Sequence, residues 1–236
     1  GDAVYWMGDQ VFYKYDGNVQ PIPCPIEEYV FDNMNTAQRS KVTAAANSKF
    51  NEIWWFYPSV TSQTNDSYVV YNYVEKSWYY GTLARTAWFD NAVSNLPIAA
   101  SPDGYIYFQE NGVDDGSTNP PSPISSYIES SAIDMGDGDQ FMFVSRVLPD
   151  LTFRNSTSTP VATFEVSARD FPGANFDQTN SGAAVRSATA PVEQFTEQLF
   201  FRLRGRSMAL KVSSNTLGTQ WRLGTPRADM RTDGRR

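Results

Sequence analysis

Apolar and polar residues alternate with a period of two along most of the chain, punctuated by Gly, Asn and Asp. That is the pattern of short strands with one face turned inward. AVYWMGDQVFYKYDGNVQPI reads as three strands with turns at Gly8-Asp9 and Asp16-Gly17, where the Gly/Asp pairs supply the positive φ that tight hairpins need. NEIWWFYPS and SYVVYNYVEKSWYYGTL repeat the scheme, with a loop through TSQTND and a second turn at Glu75-Lys76. PIAASPDGYIYFQENG gives it a third time around Asp103-Gly104. Antiparallel units recurring at roughly forty residues read as propeller blades, and fewer than three units cannot close a ring. The expectation is therefore a partial β-propeller.

Two segments interrupt the alternation. PIEEYVFDNMN places Ile26, Tyr29, Val30 and Met34 at helical spacing, with Pro25 at the first helical position and two acids in the first turn, and predicts one short helix. NGVDDGSTNPPSPIS, residues 111–125, is dense in turn formers and reads as a boundary. Beyond it FMFVSRVLPDLTF, PVATFEVSARDF and QLFFRLRGRSMALKVSS read as strands, separated by a polar loop over 172–192. The predicted fold class is mainly β: antiparallel propeller blades over residues 1–119, then a β-sandwich-like domain with a basic tail over 120–236.

The aromatic run of NEIWWFYPS tests this expectation. On a strand Trp54 and Phe56 face one side and Trp55 and Tyr57 the other, so a sheet covered on both faces accounts for all four. A carbohydrate-stacking shelf would need several rings on one exposed face, and contiguous tryptophans cannot supply it. Trp54, Trp55 and Trp78 are accordingly expected inside.

Charge changes the picture at one end of the chain. The 236 residues carry 26 acids against 19 bases, a net −7, which argues against a generally basic nucleic-acid coat. Residues 200–236, however, hold nine bases and two acids, a net +7, leaving −14 on the first 199. Arg202, Arg204 and Arg206 alternate along one predicted strand and so share a face, while Arg222, Arg227, Arg231, Arg235 and Arg236 follow on a segment read as an extended tail. Two readings stand: a solvated edge strand whose like charges oppose aggregation, or an interface to an acidic neighbouring subunit or DNA. As an extended tail, residues 221–236 are expected to be dispensable for folding.

Catalytic chemistry finds little to work with. Zero histidines exclude HExxH zinc sites, Ser-His-Asp triads and Cys-His dyads. No phosphate-cradling glycine loop follows a strand, and carboxylate pairs do not rise above the background of 26 acids. Asp134, Asp137 and Asp139 surround two glycines, but their spacing misses the calcium-loop alternation, so a hairpin turn without bound metal is expected. Asn65 and Asn155 open formal glycosylation sequons, read as polar loops. Cys24 stands alone, so no disulfide forms within the chain. No leader pattern and no run of eighteen apolar residues is present, which predicts no membrane span. The opening residues start in mid-pattern without Met, as a piece of a longer protein would.

The ordered blocks FNEIWWFYPS, NDSYVVYNYVEKSWYYGTLARTAWFD, GDGDQFMFVSRVLPD and WRLGTPRADMRTDGRR resemble the propeller-containing tail proteins of short-tailed bacteriophages, the packaged-DNA stabilisation, tail accessory, and nozzle or hub type. The resemblance spans most of the chain, with no match over 111–122 and 155–192. It departs at Phe108-Gln109-Glu110, where the family carries His-Glu, and at Thr232, where it often carries Pro. It implies a non-enzymatic structural virion protein without cofactor, made in the host cytoplasm and present as a homo-oligomer below the portal. There it would touch other tail or portal-adaptor proteins, extend the tube and help retain the packaged DNA in its lumen. Two alternatives stay open: a carbohydrate-binding or glycan-degrading tail module, and a direct DNA-binding protein acting through the basic C-terminal region.

Overall fold

A computed structural model describes residues 3–90, 95–136, 138–171 and 186–235. Asp137 and Arg236 lie outside the described residues, as does most of the segment read as a polar loop. The protein is mainly β, with antiparallel sheets, and divides into two compact units, Gly1–Asn111 and Gly112–Arg236.

The first unit is a series of meanders. β1 (Val4–Met7), β2 (Phe12–Tyr15) and β3 (Val19–Ile22) form a three-stranded sheet, with Gly17 at φ 119° in the second turn. A short helix α1 (Glu27–Asp32) follows, then a 3-10 helix over Thr36–Lys41. β4 (Thr43–Asn47), β5 (Glu52–Tyr57), β6 (Ser67–Asn72) and β7 (Ser77–Thr82) make a four-stranded sheet in sequential order. β8 (Ala87–Phe89), β9 (Ile98–Ala100) and β10 (Ile106–Phe108) make another meander of three. Among the described residues only β4–β7 has the four-stranded order of a propeller blade, and no sheet closes into a barrel.

Strand β5 explains the aromatic run. Its Trp55 and Tyr57 join Phe12, Ile22, Val30, Met34 and Val69 in one core, beneath β1–β3 and α1. On the opposite face Trp54, Phe56 and Val70 pack with Trp88 and Leu83. The residues alternate into two cores because both faces of the sheet are covered. Trp55 is 1% exposed and Trp54 8%. Trp78 is only half-buried, because β7 is the edge strand; its Nε1 reaches the Pro23 carbonyl at 3.0 Å. Cys24 belongs to the first core, where burial pushes its thiol up to about 11, so it is a packing residue.

The helical segment differs from expectation in two details. Ile26, not Ser, Thr, Asp or Asn, occupies the N-cap and makes no side-chain cap bond, so Pro25 precedes the first helical residue, Glu27, by two positions. The second helix was unforeseen; it starts where the Asn35 side chain accepts a hydrogen bond from the Ala37 N–H. Asn65 also proves structural: it is 2% exposed and donates to the Lys41 carbonyl at 2.9 Å, which leaves its sequon inaccessible in the folded chain.

The second unit is a two-layer sandwich. A hairpin of β11 (Asp114–Asp115) and β12 (Ser122–Pro123) opens it, within the stretch that reads as a boundary. Asp114 belongs here because its Oδ1 accepts from the Gly218 N–H at 2.7 Å, so the units divide eight residues before the predicted boundary. One sheet has the order β13 (Ser126–Glu129), β20 (Ser207–Ser214), β17 (Ala162–Arg169), β18 (Arg186–Val192), with β14 (Ile133–Asp134) beside β20. The other runs β19 (Leu199–Gly205), β15 (Met142–Leu148), β22 (Arg227–Thr232). β16 (Leu151–Thr152) and β21 (Arg222–Leu223) pair separately.

Val144, Val147, Phe201 and Leu203 from the second sheet meet Phe164, Val166, Met208 and Val212 from the first in one core. The chain changes sheets between β19 and β20 at Gly205, where a Cβ would lie 2.7 Å from the Ala168 Cβ, so only glycine fits this approach.

Candidate functional site

β19 alternates buried Leu199, Phe201 and Leu203 with outward Phe200, Arg202 and Arg204. The inward positions are held by the sandwich core, so the arginines must face away from it. Register then assembles the rest of the face: Phe143 lies between Arg204 and Arg231, and Arg146 between Phe200 and Asp229. Arg227 stands opposite Leu148 at the far end. The outer face of β19–β15–β22 thus carries Arg146, Arg202, Arg204, Arg227 and Arg231 around two phenylalanines, of which Phe200 is 72% exposed.

Much of this charge is engaged within the unit. Arg204 donates from Nε to Asp233 Oδ2 at 2.6 Å and stacks its guanidinium 3.8 Å from the Phe141 ring centroid. Arg206, just past the strand, reaches the same ring at 4.9 Å and donates to the Arg235 carbonyl at 3.2 Å. Arg146 pairs with Asp229 at 2.7 Å, and Arg235 with Asp139 at 3.3 Å. Arg231 lies 5.0 Å from the Phe143 ring. Arg202, Arg222 and Arg227 form no ion pair among the described residues and are exposed.

The predicted constellation is therefore gathered only in part. Arg202, Arg204, Arg227 and Arg231 share the face, Arg206 and Arg235 meet at its rim, Arg222 lies apart on β21, and Arg236 falls outside the described residues. Arg146, Phe141, Phe143 and the acids Asp229 and Asp233 were missed, although the RxDxRxD spacing of 227–233 already placed both acids on the arginines' side of a strand. The free-tail reading is overturned as well. Residues 227–232 are strand β22, because Ala228 and Met230 alternate inward against the apolar side of β15.

A second cluster lies in the first unit. Glu52, 9% exposed, accepts from Tyr79 OH at 2.8 Å, Trp54 Nε1 at 3.0 Å and Asn47 Nδ2 at 3.4 Å. The same Asn47 amide donates to Glu110 Oε1 at 3.1 Å. Desolvation, and then the neighbouring Glu52, raises the Glu110 pKa above its ordinary value of 4.5; burial likewise drives the Tyr79 hydroxyl far up. Glu52 spends its oxygens on β4, β5 and β7 and acts as a structural clamp.

A carboxyl whose folded pKa is raised binds more protons folded than unfolded, so its contribution is fully favourable below 4.5 and declines as pH rises through the folded value. Glu110→Gln is therefore expected to raise the urea midpoint near neutral pH, with the gain vanishing below about pH 4. An equal gain at both pH values would show that Glu110 does not titrate in this way.

In the loop of Asp134, Asp137 and Asp139, Gly136 and Gly138 have φ 63° and 73°, while Asp137 lies outside the described residues, so the expected turn is not tested there. Among the described residues no group of three acids converges on a metal position. Among the described residues no helix is long and apolar enough to cross a membrane. Compared with known proteins, the chain matches no family model and no curated sequence.

Proposed function

We propose that the protein is a structural component of a bacteriophage tail, a nozzle, hub or head-to-tail accessory factor that extends the tube below the portal and helps retain packaged DNA. The observation that carries the reading is the arginine face of β19–β15–β22, a rigid cationic and aromatic surface on an otherwise acidic chain. Such a face suits an acidic protein neighbour, since guanidinium forks bind carboxylates with fixed geometry.

Further support comes from the blocks that carry the resemblance. They form β5, β6–β8, β15 and β21–β22, which are framework strands of the two units. A second surface also lacks cover: Phe89, Phe108 and Ile106 on the outer side of β8–β10 are 62%, 59% and 72% exposed. Apolar sheet faces of that kind are usually covered in an assembly. The buried Trp54 and Trp55 remove the main support for a glycan platform.

Arg202→Glu, which breaks no ion pair among the described residues, is expected to leave the unfolding midpoint unchanged and to reduce incorporation into tails assembled in vitro. Raised salt should act in the same direction, since screening sets in within about 8 Å at physiological ionic strength. Unchanged incorporation would remove this face from the proposal. Duplex binding lost with Arg202 would favour the DNA-binding alternative instead.

A further inference from the structure

Strand β22 forms one edge of its sheet and is exposed along its whole length. An uncovered edge of this kind offers a row of backbone donors and acceptors to another strand. Its sequence from 227 to 233 is Arg-Ala-Asp-Met-Arg-Thr-Asp. Laid antiparallel against itself about Met230, it sets Arg227 opposite Asp233, Asp229 opposite Arg231, Ala228 opposite Thr232, and Met230 opposite Met230. Every charge then meets its opposite, on the outward face of both strands. Sliding one strand by two residues in either direction sets Arg against Arg and Asp against Asp, and sliding by one turns the charges to the wrong face.

We infer that β22 is a self-recognition edge: two copies of this chain join β22 to β22 about a two-fold axis through Met230, making one continuous six-stranded sheet.

The apolar side of the same strand agrees. Between the two sheets, along β22, runs a cavity of about 390 Å³ lined by Ile128, Ile133, Leu223, Ala228 and Met230. Met230 is 40% exposed and Ile133 42% in the single chain. The inward residues of a neighbouring β22, namely Ala228, Met230 and Thr232, would extend over the mouth of this cavity. Charge order fixes the register and the apolar side supplies buried area, the two things a strand-to-strand junction needs. The Asp229 and Asp233 carboxylates already touch Arg146 and Arg204, so each acid would stand between two guanidiniums, one from each side. A two-fold junction closes at a dimer and builds no ring around a lumen, so the inference rests on β22 alone and not on the tail reading, and either can fail without the other.

The test is a charge-swap cycle on the full chain, read by sedimentation equilibrium at high micromolar concentration, with circular dichroism to confirm folding. The unsubstituted chain should be a dimer. Asp229→Arg alone sets Arg against Arg at two symmetry-related places, and Arg231→Asp alone sets Asp against Asp. Each should weaken association by at least about tenfold. An equimolar mixture of the two variants restores every opposite-charge contact and should form the heterodimer, and the double variant Asp229→Arg with Arg231→Asp should again self-associate. A monomeric unsubstituted chain, or association unaltered by either single change, or folded variants that fail to pair when mixed, would each overturn the inference.

Discussion

Trp55→Ala is expected to destabilise the first unit by about 3 to 5 kcal/mol, the cost of deleting a large buried ring whose surroundings close in only partly. Trp55 is 1% exposed, 5.0 Å from the Phe12 ring and 5.9 Å from Trp78, which stacks on it. Phe12 belongs to β2 and Trp78 to β7, so the indole joins the first meander to the four-stranded sheet. One ring therefore supports two sheets. Because whole domains are stable by only about 5 to 15 kcal/mol, the loss would take a large share of what holds this unit folded. The measurement is urea unfolding followed by near-ultraviolet circular dichroism, which reports aromatic packing. Trp55→Phe should recover part of the loss, since it refills the site without the indole. If Trp55→Ala kept the original midpoint and lost affinity for a glycan instead, the ring would be a binding residue.

The cores of the first unit were legible because each strand carries its own evidence. β5 shows its two-sided burial directly, Trp55 and Tyr57 one way, Trp54 and Phe56 the other. The turn at Lys76 likewise appears at its predicted place, with φ 54°. What stayed hidden depends on a partner distant in sequence. RSATAPV, residues 186–192, has small polar residues and a proline, so it read as loop; it becomes β18 because β17 offers seven residues for it to pair with. The 3-10 helix over Thr36–Lys41 has no apolar periodicity to betray it. Alternation alone puts Trp78 inside, since nothing local in the sequence marks β7 as an edge.

The arginine face shows the same division. Alternation in FFRLR was enough to set Arg202 and Arg204 on one side, and the structure agrees. The neutralisation of Arg204 was not visible, because Asp233 and Phe141 reach it only through the pairing of β15 with both β19 and β22. Proline and glycine in WRLGTPRADMRTDGRR suggested a free tail. They serve instead a tight connection: the Gly224 N–H donates to the Asp150 carbonyl at 2.9 Å, and a Cβ at Gly224 would run into the Asp150 carboxylate. Pro226 then leads into β22, where no donor is needed from it.

That connection changes the expected result of truncation. Removing residues 221–236 is expected to abolish cooperative unfolding of the second unit, not to leave its fold intact as a free tail would. The deletion takes away Trp221 and Leu223, which pack on the sandwich core, and the whole of β22. Two such side chains would contribute about 3 to 6 kcal/mol together if fully buried, so even partly buried they are a sizeable share of a domain's margin of about 5 to 15 kcal/mol. Loss of β22 adds to this, since it uncovers the backbone of β15 along six paired residues and opens the side of the core at Val144 and Val147. Trp221 Nε1 also donates to Ser126 Oγ at 2.9 Å, so β13 loses a tie as well. Changing Arg202, Arg204 and Arg206 together to Ser is the contrasting case. It forfeits the exposed Arg204–Asp233 pair and the guanidinium cover of Phe141, about 1 to 2 kcal/mol in all, and keeps every strand in place. Urea titrations of the two variants separate the accounts by slope as well as midpoint. A truncated chain that unfolds at the original midpoint with the original slope would show that β22 is an ornament on a sandwich complete without it, and the arginines it carries could then be read again as a mobile tail.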